Sequence, residues 1–181
     1  MIARIWGALL ATAMILPGGS AAPADDAAPI LGKWLISQYQ LAPWSRPEDA
    51  PQLNAEAKKL LKLQVTYSAK AVTARNTTIG CKDAHYETSN FPYDELFQGA
   101  LGELSAEARA KTVKELGFPR EPVPGIELGC STGEFSYHFR DPNTVLFALS
   151  DVIYVLYRGV FAGVVRPPFS RHELGILMGG T

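Results

Sequence analysis

Between Ile126 and Arg158 the chain passes through four short extended segments joined by turns of a few residues, and that spacing calls for an antiparallel meander. The clearest is Glu134 to Arg140. There Phe135, Tyr137 and Phe139 alternate with Glu134, Ser136, His138 and Arg140, putting aromatic groups on one face and polar groups on the other. Ile126 to Cys130 forms the strand before it. Asp141-Pro142-Asn143 turns into Val145 to Leu149, and Ser150-Asp151 turns into Val152 to Arg158.

The first half carries the same signals more sparsely. Leu31 to Tyr39 is bulky and forms a first strand, and Ala42 to Pro51, with Pro43, Pro47 and Pro51, forms a loop. Leu53, Ala57, Leu60 and Leu61 share one face at helical spacing. Val65, Tyr67, Ala69 and Ala71 alternate with polar neighbours as a half-buried strand, and Thr78 to Cys81 and His85 to Thr88 are two shorter ones. Asp94 to Gly117 is the long helical region. Asp94 or Ser105 is its candidate cap, and Gly117 followed by Pro119 ends it. The expectation is a mainly β fold: about eight antiparallel strands meandering into a barrel, with a helical insertion at about 94–117. Closure of such a sheet removes exposed edges. An open two-sheet sandwich is the rival architecture.

Residues 1–24 have the form of a secretory signal peptide. Arg4 precedes an apolar run from Ile5 to Leu16, then Pro17, Gly18, Gly19 and small residues, with cleavage expected after Ala24. The run is too short for a permanent membrane span, and no cysteine lies near the cut to carry a lipid. Periplasmic or secreted localisation follows as an expectation. The mature chain divides into a disordered leader at 25–29, a barrel domain at 30–158 and a tail at 159–181. Losing Arg4 takes the 17 Lys+Arg to 16, against 18 Asp+Glu, a net charge of −2. That balance, with basic residues scattered singly, argues against nucleic acid or an anionic membrane as the main partner. No transmembrane anchor is expected in the mature chain.

Cys81 and Cys130 are the only cysteines. In an oxidising compartment two lone cysteines are expected to pair. Two buried free thiols, or a redox or metal role, are the rival readings. There is no C-x-x-C and no His at zinc-finger spacing.

Gly32-Lys33-Trp34 opens the first strand, and Arg158 closes the last. This pair resembles the G-x-W signature of lipocalins and their calycin relatives. The resemblance implies that Trp34 plugs one barrel end with Arg158 stacked on its indole, a cation over an aromatic face. It also implies a non-enzymatic exported barrel that binds a small apolar or amphipathic molecule. The mid-chain helical region departs from the family, whose helix usually follows the last strand. Small exported bacterial inhibitors of proteases and lysozymes are likewise eight-stranded barrels with one disulfide.

Other motifs have plainer explanations. Gly129-Cys130-Ser131-Thr132-Gly133 matches G-x-S-x-G, with Asp151 and His172 following in hydrolase order. The nucleophile elbow needs a strand-to-helix turn, whereas the residues after Gly133 alternate as a strand, so a hairpin turn is expected. His172-Glu173-Leu174-Gly175-Ile176 lacks the second His of H-E-x-x-H. His138, on the polar face of its strand, is expected to be solvated. No cofactor or metal is expected. Tyr67, Phe135, Tyr137, Phe139 and Phe147 either line a ligand cavity or fill the barrel interior. Asn90 to Phe97 is a lid, a docking surface or simple packing over the barrel mouth. Asn76-Thr77-Thr78 is a sequon by pattern.

Two functions follow. The first is a non-enzymatic carrier of a small apolar or amphipathic ligand. The alternative is an inhibitor or partner-binding module acting on an exported enzyme.

Overall fold

A computed structural model describes residues 27, 29–75 and 78–159. The expected signal peptide, the tail beyond residue 159 with His172, and the first two sequon positions lie outside the described residues. Among these residues eight strands and two α-helices follow in order: β1 (Gly32–Leu41), α1 (Ala50–Leu60), β2 (Gln64–Ser68), β3 (Ala71–Ala74), β4 (His85–Phe91), α2 (Ala106–Leu116), β5 (Val123–Cys130), β6 (Gly133–Asp141), β7 (Thr144–Leu149) and β8 (Val152–Tyr157). The strands form one antiparallel sheet ordered β3-β2-β1-β8-β7-β6-β5-β4, strongly curled into a half-barrel.

The edges β3 and β4 share no ladder and meet only along a short seam. Val72 and Cys81 exchange two backbone hydrogen bonds of 2.8 Å, and Ala84 N–H donates to Lys70 O at 3.0 Å. Tyr86 Oη reaches across to Ser68 O at 2.9 Å. The Cys81–Cys130 disulfide ties this seam to the end of β5, which settles the cysteine alternatives in favour of pairing. Thr78 to Cys81, expected as a strand, contributes only this one bridge. The run from Val65 to Ala71 instead bends at Ala69-Lys70 into the β2–β3 hairpin. The strand number therefore agrees with expectation while its membership differs.

Both faces of the sheet are covered. On the concave face Trp34, Ile36, Val65, Tyr67, Tyr137 and Phe147 pack with Leu53, Ala57 and Leu60 of α1. These three helical residues recur at i, i+4 and i+7, so α1 turns its whole apolar stripe into the curl. On the convex face Leu96, Phe97, Leu101, Val113, Leu116 and Phe118 cover Phe91, Val123, Leu146 and Ile153.

α2 is shorter than the expected span at 94–117. Its N-cap is Ser105, whose Oγ accepts from Ala108 N–H at 3.2 Å. Gly117 ends it in the left-handed region at φ 76°, the conformation that glycine adopts without steric cost. Ahead of it, Phe97, Gln98 and Gly99 all have positive φ, and no helix continues through them. Leu96 and Leu101, both fully buried, hold this segment against the sheet. The Asn90 to Phe97 stretch therefore packs on the convex face. Gly125 is required beneath it, since a Cβ there would stand 2.5 Å from both the Phe91 ring and Tyr137 O.

Candidate functional site

The first and last strands bring Trp34 and Arg158 to one end of the curl. The guanidinium carbon of Arg158 lies 4.7 Å from the Trp34 ring centroid. Trp34 Nε1 donates to Ile30 O at 2.6 Å. Arg158 donates to Leu31 O at 3.2 Å and to Pro142 O at 2.9 Å. Phe139 meets the indole edge-on, with ring centroids 6.5 Å apart. Ala27, in the segment expected as a leader, is buried at this end and accepts from the N–H groups of Ile30 and Leu31.

The five aromatics expected to line a cavity separate into two groups. Tyr67, Tyr137 and Phe147 are at most 2% exposed and pack ring against ring, at 5.5 Å and 5.3 Å between centroids. With α1 they fill the concave interior. The hydroxyls of Tyr67 and Tyr137 have no partner among the described residues other than each other, and burial foremost pushes both pKa values well above the ordinary value. Phe135 and Phe139 lie at the borders of the packed interior, each beside a different surface groove.

The Phe139 groove, about 500 Å³, sits at the Trp34–Arg158 end. Pro29, Pro119, Val123, Pro124, Phe139 and Pro142 supply its apolar wall. Thr88, Ser89 and Asn90, three successive residues of β4, complete the lining with Gly125 of β5, so the groove runs around the end of the sheet rather than along one face. Arg120, Arg140 and Arg158 border it with a single carboxylate, Asp141. Arg140 approaches Asp141 Oδ2 at 3.9 Å and Leu116 O at 3.5 Å, while Asp141 Oδ1 accepts from Asn143 N–H at 2.8 Å. Arg120 is exposed and makes no ion pair or hydrogen bond among the described residues.

The Phe135 groove, about 430 Å³, lies on the convex side of β4, β5 and β6 and carries the opposite charge, with Glu87, Glu95, Glu127 and Glu134 beside His85. Among the described residues no group of three or more His, Cys, Asp or Glu side chains is placed to hold a metal ion.

Ser131 and Thr132 occupy the hairpin turn between β5 and β6, as the alternation after Gly133 required. Asp83 Oδ1 accepts from the Ser131 hydroxyl at 2.9 Å and from its N–H at 3.2 Å. These bonds, the backbone one foremost, lower the Asp83 pKa. Asp151 instead accepts from Trp44 Nε1 at 3.0 Å.

His138 corrects an expectation. It is not solvated but fully buried, because the convex layer covers the polar face of β6. Its Nε2 accepts from Phe97 N–H at 2.8 Å, and the rings of Phe91 and Phe97 flank it edge-on at 4.7 and 4.9 Å. Nδ1 has no partner. Burial pushes the pKa down to about 3, so the imidazole is neutral with its proton on Nδ1. The sequence held a signal for this burial. Val145 to Phe147 and Val152 to Val155 are apolar without alternation, the mark of strands covered on both faces.

Fold and site together describe a small, mainly β half-barrel with a cation-over-indole plug and a proline-walled groove beside it. No family model, no curated protein and no solved structure matches the chain.

Proposed function

We propose that this chain is an exported, non-catalytic, lipocalin-like protein that binds a small apolar or amphipathic ligand in the groove beside Phe139. The carrying observation is that groove: about 500 Å³ of mostly apolar wall next to the plugged end. The G-x-W segment and the Arg158 stack on Trp34 support the lipocalin-like part of the reading. Because Tyr67, Tyr137 and Phe147 occupy the interior, the ligand is assigned to the end of the curl rather than its centre. Ser131 is bonded into a turn by Asp83, which favours binding over hydrolysis.

Phe139 touches Trp34 edge-on, so an occupant of the groove changes the environment of the indole. The test is a fluorescence titration of the mature chain carrying Trp44→Phe, which leaves Trp34 as its reporter. A panel of apolar and amphipathic compounds should give saturable changes. A flat response across the panel overturns the proposal.

A further inference from the structure

We infer that the ligand of this groove is an amphipathic monoanion, an apolar body ending in a carboxylate, with Arg120 and Arg140 holding the head group. The inference rests on the groove being the binding site and specifies what it selects. The whole chain is close to charge balance, with 17 Lys+Arg against 18 Asp+Glu, yet this lining brings three arginines to one aspartate. Among the described residues compensation is incomplete. Arg158 is stacked on Trp34 and bonded to two backbone carbonyls. Asp141 already accepts from the Asn143 N–H and stands 3.9 Å from Arg140. Glu121, the acid next to Arg120, accepts from Tyr93 N–H instead.

The wall chemistry points the same way. Pro29, Pro119, Pro124 and Pro142 line the groove, and proline has no amide N–H to offer. Of the lining side chains only the arginines carry positive charge, and their planar forks match a carboxylate in two parallel hydrogen bonds. An uncharged apolar occupant would partly strip water from these guanidiniums and return no charge. A cationic one would meet like charge. An anion replaces the lost water with charge-assisted bonds while its body covers Phe139 and the groove's prolines.

Three probes of equal tail length separate head-group preference from apolar binding: dodecanoate, dodecanol and dodecyltrimethylammonium, each below its micelle threshold, titrated into the mature chain. Dodecanoate should bind at least about tenfold tighter than dodecanol, a difference of about 1.4 kcal/mol, with the cation weakest. Arg120→Gln combined with Arg140→Gln should remove the anion preference, bringing dodecanoate and dodecanol to equal affinity within the variant, with an unaltered urea unfolding curve as the folding control. Equal binding of dodecanoate and dodecanol overturns the inference and leaves the groove reading standing. Binding of none of the three overturns both. Persistence of the preference in the double variant overturns the assignment to these two arginines.

Discussion

Arg158 covers Trp34 from the far end of the fold, its guanidinium carbon 4.7 Å from the ring centroid, while the indole N–H beneath is bonded to Ile30 O. The same guanidinium reaches the carbonyls of Leu31 and Pro142. One side chain thus joins the entry to β1, the β6–β7 turn and the end of β8.

Arg158→Ala should therefore destabilise the fold by about 2 kcal/mol, the order of a desolvated cation–π contact plus a charged hydrogen bond. Arg158→Lys should retain part of this, since an ammonium keeps the charge but not the planar fork. Urea unfolding of both variants checks it. Equal stability of Arg158→Ala and the parent would remove the plug from the account.

His138 makes stability depend on pH. Its folded pKa of about 3 lies below the ordinary 6.5, so the unfolded chain protonates first as pH falls. The His138 contribution is complete above pH 6.5 and declines continuously toward pH 3. The expected slope is about 1.4 kcal/mol per pH unit, or about 2 kcal/mol between pH 6.5 and 5. His138→Gln should flatten this part of the profile. Parallel profiles for parent and variant would contradict it.

The hydroxyls of Tyr67 and Tyr137 are buried with no partner among the described residues other than each other. Replacing both by Phe removes two desolvated polar groups and keeps the ring packing, so the double variant should gain about 1 kcal/mol. Thermal and urea unfolding measure it. A loss of that size would show that the hydroxyls are bonded in solution.

Changing Cys81 and Cys130 together to Ser should cost about 4 kcal/mol for a cross-link spanning 49 residues. The hydrogen exchange of Val72 and Ala84 should rise most, since both amides belong to the seam that the bond anchors. Two reactive thiols in the untreated native parent would refute the pairing.

Much of the sheet was legible because local signals and tertiary demands agree there. Phe135, Tyr137 and Phe139 alternate toward the concave core as their spacing requires, and Ser105 and Gly117 bound α2. The misplacements arise where distant groups decide. Phe97 leaves helical geometry as its N–H meets His138 across a sequence separation of 41, which no local window registers. The groove was illegible for the same reason. Pro29, Arg120, Phe139 and Arg158 come from four separate segments, and only the curl assembles them.

From Phe135 to His138, β6 is buried at four successive positions, with the α1 side of the sheet on one flank and the α2 layer on the other. Most antiparallel strands keep an outer row where evolution experiments freely. Over these four positions that row is closed, as it is from Thr144 to Phe147 of β7, so a mutational scan would find its stretches of greatest intolerance on these two paired strands, at His138 and Thr144 as much as at their apolar neighbours.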